Sequence, residues 1–147
     1  MKNRFARLSS ALLAVMLLVL TLLAFNACAD KPSVTIYFEN GEEVKTFTVK
    51  IEDYEEGATL YDVLKQDKSL EAVMDETTTP FVTSMCGVTP DASANEYISI
   101  YTSLADKAWG EDTIEKHGTT FYTSGYGVAE LPLTDGAVYL FCIESWS

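Results

Sequence analysis

The sequence is poor in the groups from which most enzymes and metal sites are built. A single histidine, His117, occurs in 147 residues, which excludes a His-rich metal site and leaves one candidate imidazole base. Positive charge is scarce: ten Lys and Arg face 22 Asp and Glu, and Lys2, Arg4 and Arg7 account for three of the ten. A chain this acidic offers no basic face for phosphates, so nucleic acid is excluded as a partner. Cysteine is limited to Cys28, Cys86 and Cys142 without a CxxC spacing, which argues against thioredoxin-type redox chemistry. Also missing are GxSxG, HExxH, the Walker A loop, the Rossmann glycine pattern and the EF-hand loop. The acidic runs Glu39–Glu43 and Glu52–Glu56 lack the alternating Asp/Asn spacing of a calcium loop and read as solvated loops. His117, beside Gly118, reads as a solvated loop residue. No residue is assigned a catalytic or metal-ligating role, and the chain is expected to be neither an enzyme nor the holder of a resident cofactor.

What is present begins with an address. Three basic residues in positions 2–7 precede an apolar run from Ala11 to Phe25, the n-region and h-region of a signal peptide. The run also approaches the roughly 17 residues that a membrane-spanning helix needs, so an uncleaved anchor is the alternative, with simple secretion a third. Asn26-Ala27-Cys28 closes the run and resembles the lipobox of bacterial lipoproteins, in which the Cys thiol is acylated. The resemblance implies a signal peptide over residues 1–27, lipidation of Cys28 and a tether over residues 28–33. The domain of residues 34–147 would then be extracytoplasmic, attached to the cell membrane through its lipid. In that compartment Cys86 and Cys142 are an even pair that can form a disulfide, provided their Cα atoms lie within about 7 Å. Two buried free thiols are equally compatible with their half-apolar segments.

Within the domain, Val34–Phe38 and Glu43–Ile51 alternate with period two and are rich in β-branched and aromatic residues. They read as strands joined by a turn centred on Asn40-Gly41. Thr59 can cap a helix with Asp62 reaching back, and Leu60, Val63 and Leu64 fall on one stripe. That helix should end before Asp67. Leu70–Met74 fits a strand or a last helical turn. Phe81–Cys86, Tyr97–Thr102, Phe121–Thr123 and Ala137–Ile143 alternate again, with Asp135-Gly136 turning into the last strand. Hairpin, one helix, then strands is the order of an α+β domain: a β-grasp-like mixed sheet with one short helix packed on it.

Six of the 17 aromatic residues lie between Tyr97 and Tyr126. Trp109, next to Gly110 and among charged neighbours, is expected on a loop, as are Tyr122 and Tyr126 beside the Thr123–Gly127 turn. Aromatic side chains on loops supply large contact area at low entropic cost. Tyr97, Tyr101 and Phe121 read more readily as alternating strand residues with one face in the core.

Four blocks, Gly57–Leu64, Phe81–Val88, Tyr97–Thr102 and Leu133–Tyr139, resemble in order and spacing those of the transcobalamin-like C-terminal domain family, a domain of unknown function found in lipoproteins and surface proteins of Gram-positive bacteria. The resemblance implies a β-grasp-like fold and a ligand-binding role. In transcobalamin-type proteins the corresponding domain closes over cobalamin held against a helical domain. Here no such helical domain accompanies it, Ile98 stands where the family often has Trp, and Cys86 replaces a usually polar residue. Ligand-binding candidates are Thr83, Ser84, Tyr101, Trp109, Tyr122 and Tyr126, and the expected partner is a small soluble molecule such as a corrinoid. The alternative is an adhesion or interaction module binding a surface protein or a transporter.

Overall fold

The computed structural model describes residues 30–146; the leader and Cys28 lie outside the described residues. Strands β1 (Ser33–Asn40) and β2 (Glu43–Lys50) form the expected antiparallel hairpin. Its turn is displaced by one residue from the Asn40-Gly41 expectation. Gly41 and Glu42 are the central pair, and only Gly41 has a positive φ, 61°, the arrangement of a type II′ turn with glycine first. The register opposes Ile36 to Phe47 and Val34 to Val49, keeping the apolar residues of both strands on one face; a one-residue slip would turn β2 inside out.

Helix α1 (Leu60–Gln66) begins where Thr59 caps it, and the Thr59 amide donates to Asp62 Oδ2 at 2.8 Å. Leu60, Val63 and Leu64 are its buried face. The ambiguous Leu70–Met74 stretch divides: a 3₁₀ turn ends at Leu70, and β3 (Val73–Asp75) pairs with β4 (Phe81–Ser84) in a small antiparallel ribbon. The remaining strands are β5 (Glu96–Thr102), β6 (Ala108–Lys116), β7 (Thr119–Ser124) and β8 (Val138–Ser145). The main sheet runs β2-β1-β8-β5-β7-β6, with β8 parallel to β1 and its other pairings antiparallel. A hairpin, a helix and a last strand inserted parallel to the first make the β-grasp-like arrangement.

Each face of this sheet carries apolar residues, and different elements cover each. On the inner face Val34, Ile36, Phe38, Ile98, Tyr139 and Phe141 share one core with the helix stripe and with Leu70, Val82 and Met85. Outside, Leu140 and Cys142 pack with Phe121 and with half-buried Tyr37, Tyr101, Ile114 and Val138. The outer cover is the β6–β7 hairpin. Strand β7 pairs with β5 only at Tyr101–Thr123 and Thr102–Tyr122; the hairpin then leaves the edge and crosses the outer face until Lys116 and His117 meet Glu39 on β1. Strand β6 was not legible in the sequence, because residues 109–113 are all exposed and do not alternate.

Cys86 and Cys142 are both free thiols. They belong to different clusters, Cys86 to the inner core and Cys142 to the outer, so the sheet separates them and the pairing left open by the sequence is not made. Thermal unfolding should therefore give the same midpoint with and without reductant. A disulfide would contribute about 2–4 kcal/mol, and a downward shift of several degrees on reduction would contradict the free-thiol assignment.

Candidate functional site

Three places in the fold hold the side chains that could meet a partner. The first is a groove between β4 and the start of β5. Backbone order there comes from a short ribbon and from Asp91, whose side chain accepts from the Ser93 amide at 2.9 Å and whose own amide donates to Glu96 Oε2 at 2.8 Å. Phe81 and Trp146 stand 53% and 60% exposed, with Val82 and Ile98 at the floor and Pro90 and Tyr97 on the walls of an open cavity of about 330 Å³. The Tyr97 and Trp146 rings lie 5.2 Å apart, tilted by 36°, and the Trp146 amide donates to Asn95 O at 3.3 Å, holding the tail in place. The one carboxylate on the rim, Glu96, is engaged by the Asp91 amide, so what the groove offers is mainly apolar and aromatic.

The second place is the base of the β6–β7 hairpin. Ala108 pairs with Ser124 and Thr113 with Tyr122, so residues 109–112 bulge out opposite the single residue Thr123. Gly110, with φ 79°, makes the bulge, and Trp109 on it is 76% exposed. Gly125 lies against it so closely that a Cβ there would stand 3.3 Å from Ala108 O. Lys107 Nζ sits 4.8 Å from the Tyr126 ring centre, occupying one face of the phenol. Gly127 faces Pro80 O and Thr79 Cγ2, both 3.8 Å from where its Cβ would be. The tyrosine turn therefore adjoins the segment that leads into Phe81.

The third place is the clasp at the hairpin tip, which the sequence did not reveal. Glu39 is buried at 9% exposure, in contrast to the solvated loop expected for it. One of its oxygens accepts from Lys116 Nζ, and the other lies 2.7 Å from His117 Nε2. The His117 ring stacks on Tyr37 at 4.3 Å, so it is no free loop imidazole. Burial works to raise the Glu39 pKa, but the bonds from Lys116 and His117 outweigh it and hold the carboxyl below its ordinary 4.5.

The six ligand-binding candidates are thus not one constellation. Thr83 lines the groove, though its hydroxyl donates to Val73 O at 3.1 Å. Ser84 is buried behind it at 8% exposure. Trp109 and Tyr126 share the hairpin base, but Trp109 sits on the bulge within β6 and Tyr122 half-buried on β7, neither on the loop expected for it. Tyr101 lies under the hairpin and donates to Glu144 Oε1 at 2.7 Å; burial, then the carboxylate, push its pKa far above the usual phenol value, keeping it a neutral donor. The sequence reading passed over Phe81 and Trp146 as contact residues. Trp146, an aromatic between two serines after the last strand, was the available signal. Among the described residues no three His, Cys, Asp or Glu side chains converge as metal ligands.

Glu39→Gln should lose about 1–2 kcal/mol of stability at neutral pH, measured by urea unfolding. Because the folded pKa is depressed, the advantage of the native residue is complete above pH 4.5 and fades as pH falls through the lowered folded value. An advantage that grew on acidification would contradict the clasp. Trp109→Ala, at a site with no buried contact to lose, should change stability by less than about 0.5 kcal/mol.

Neither a protein-family model nor a curated protein matches the chain. Solved structures share its fold, among them the following two. One is a protein from Ruminococcus gnavus ATCC 29149, provisionally described as metal binding, with TM-score 0.56 and 14% identity over 80% of this chain and 100% of that one. The other is haptocorrin in complex with Cbi, with TM-score 0.53 and 14% identity over 79% of this chain and 25% of haptocorrin. This chain thus spans about a quarter of haptocorrin, and at such identity the likeness is one of fold.

Proposed function

We propose that this protein is a membrane-tethered, extracytoplasmic binding module that captures a small soluble ligand presenting a flat apolar surface, a corrinoid foremost, and that it is not an enzyme. The observation that carries the reading is the groove of Phe81, Tyr97 and Trp146, in which two large aromatic side chains stay exposed beside the buried Val82 and Ile98. Haptocorrin, whose fold this chain shares over a quarter of its length, binds Cbi. The block resemblance to transcobalamin-like domains supports the same ligand class, and the leader with Cys28 supports the tether.

Size limits how the ligand is held. Sites that enclose a ligand span about 300–1,000 Å³ and cover most of its surface. An open groove of about 330 Å³ covers one face or edge of a corrinoid, so ring stacking supplies most of the binding and little charge selection occurs. A second reading, an adhesion or interaction module that meets a surface protein or transporter, is favoured by one observation: Trp109 is held 76% exposed on its bulge, away from the groove lining.

Titration with cobalamin and cobinamide, followed by tryptophan emission and the corrin spectrum, tests the first reading. Binding that Trp146→Ala weakens about ten-fold or more, with Trp109→Ala neutral, is the expected result. No spectral change at about 100 µM ligand, roughly −5.5 kcal/mol of affinity, removes corrinoids. A cell-envelope protein whose capture depends on Trp109 alone would favour the second reading.

A further inference from the structure

The β6–β7 hairpin is fastened to the rest of the sheet by backbone pairing at its base and by side chains at its tip. Its base joins β5 through two residue pairs. Its tip is held through side chains: the Glu39 carboxylate takes Lys116 on one oxygen and His117 on the other, and His117 stacks on Tyr37. Between the two, Phe121 and Ile114 roof over Leu140, Cys142 and Tyr101. Three polar side chains thus pin the far end of the cover over an apolar sheet face, and breaking one carboxylate's contacts releases both donors together.

What lies beneath the roof is connected to the groove. Glu144 accepts from Tyr101 on Oε1 at 2.7 Å and from Tyr97 on Oε2 at 3.2 Å, and Cys142 Sγ is 3.7 Å from Oε1. Tyr101 is part of the covered cluster; Tyr97 is a wall of the groove and touches Trp146. One carboxylate therefore fixes a side chain under the hairpin and a side chain in the groove. We infer that the β6–β7 hairpin is a releasable strap, closed by the Glu39 clasp, and that its opening resets Tyr97 in the groove through Glu144. The strap rests on the Glu39 clasp and the cluster beneath it; its meaning as control of ligand capture rests on the proposed binding reading.

Cys142 reports the strap without any ligand. Burial, helped by Glu144, pushes its pKa up to about 12, and the closed hairpin shields the thiol from reagents, so labelling requires opening. Cys86, in the inner core, reports global unfolding in the same sample. The full chain is treated with N-ethylmaleimide at pH 7.5, and the labelled peptides are resolved by mass spectrometry. Glu39→Gln, and separately Lys116→Gln/His117→Gln at the hairpin tip, should speed Cys142 labelling about ten-fold or more with Cys86 unchanged. Combining the two should add little, because both break the same clasp. Cys142 rates that stay level, or that rise in step with Cys86, overturn the strap. In a Trp109→Phe background the emission of Trp146 should shift with Glu39→Gln; an unmoved Trp146 beside a fast Cys142 overturns the coupling to the groove. Failure of corrinoid binding leaves both readouts intact, so the two proposals fail separately.

Discussion

A six-stranded sheet with apolar residues on both faces must be covered twice, and this constraint organises the domain. The inner face is covered in the ordinary way, by a helix and a ribbon whose buried stripes bring their own hydrophobic gain. The outer face has no layer of secondary structure to itself. It borrows an edge hairpin, bent back over it and held at its far end by a carboxylate. A buried Glu39 without partners would be costly; with Lys116 and His117 both bonded, it becomes the fastening.

That solution shapes what the surface can do. Tyr101, which a sequence reader would offer to a ligand, is absorbed by the outer cluster and tied to Glu144. The exposed aromatics stand instead where cover runs out: Phe81 and Trp146 at the open end of the inner layer, and Trp109 where β6 bulges to let the hairpin bend. The exposed aromatic surface is therefore what a packing problem leaves over, placed at the margins of two covers. The fold is shared with haptocorrin and the Ruminococcus gnavus protein, and a shared fold does not by itself fix what its surface binds.

Sequence and structure agree most where the signal is local. The β1–β2 alternation, the Thr59–Asp62 cap and the Leu60, Val63, Leu64 stripe all appear as expected, because each depends on residues within one turn or one strand pair. The hairpin turn moved by one residue because register answers to the core-facing pairs Ile36–Phe47 and Val34–Val49, and the turn residues follow.

By itself, the sequence determined an α+β domain with a hairpin, a short helix and a closing strand, since period-two and period-3.6 patterns follow from backbone geometry. Only the tertiary structure decided the rest. Strand β6 exists because β7 lies beside it, its exposed residues leaving no apolar rhythm to detect. Glu39 and His117, 78 positions apart, become partners only when the hairpin crosses the sheet. Cys86, in the turn after β4, packs into the inner core, while Cys142 on β8 packs in the outer cluster. Pairing across long separations is a property of the folded topology, and no local propensity encodes it.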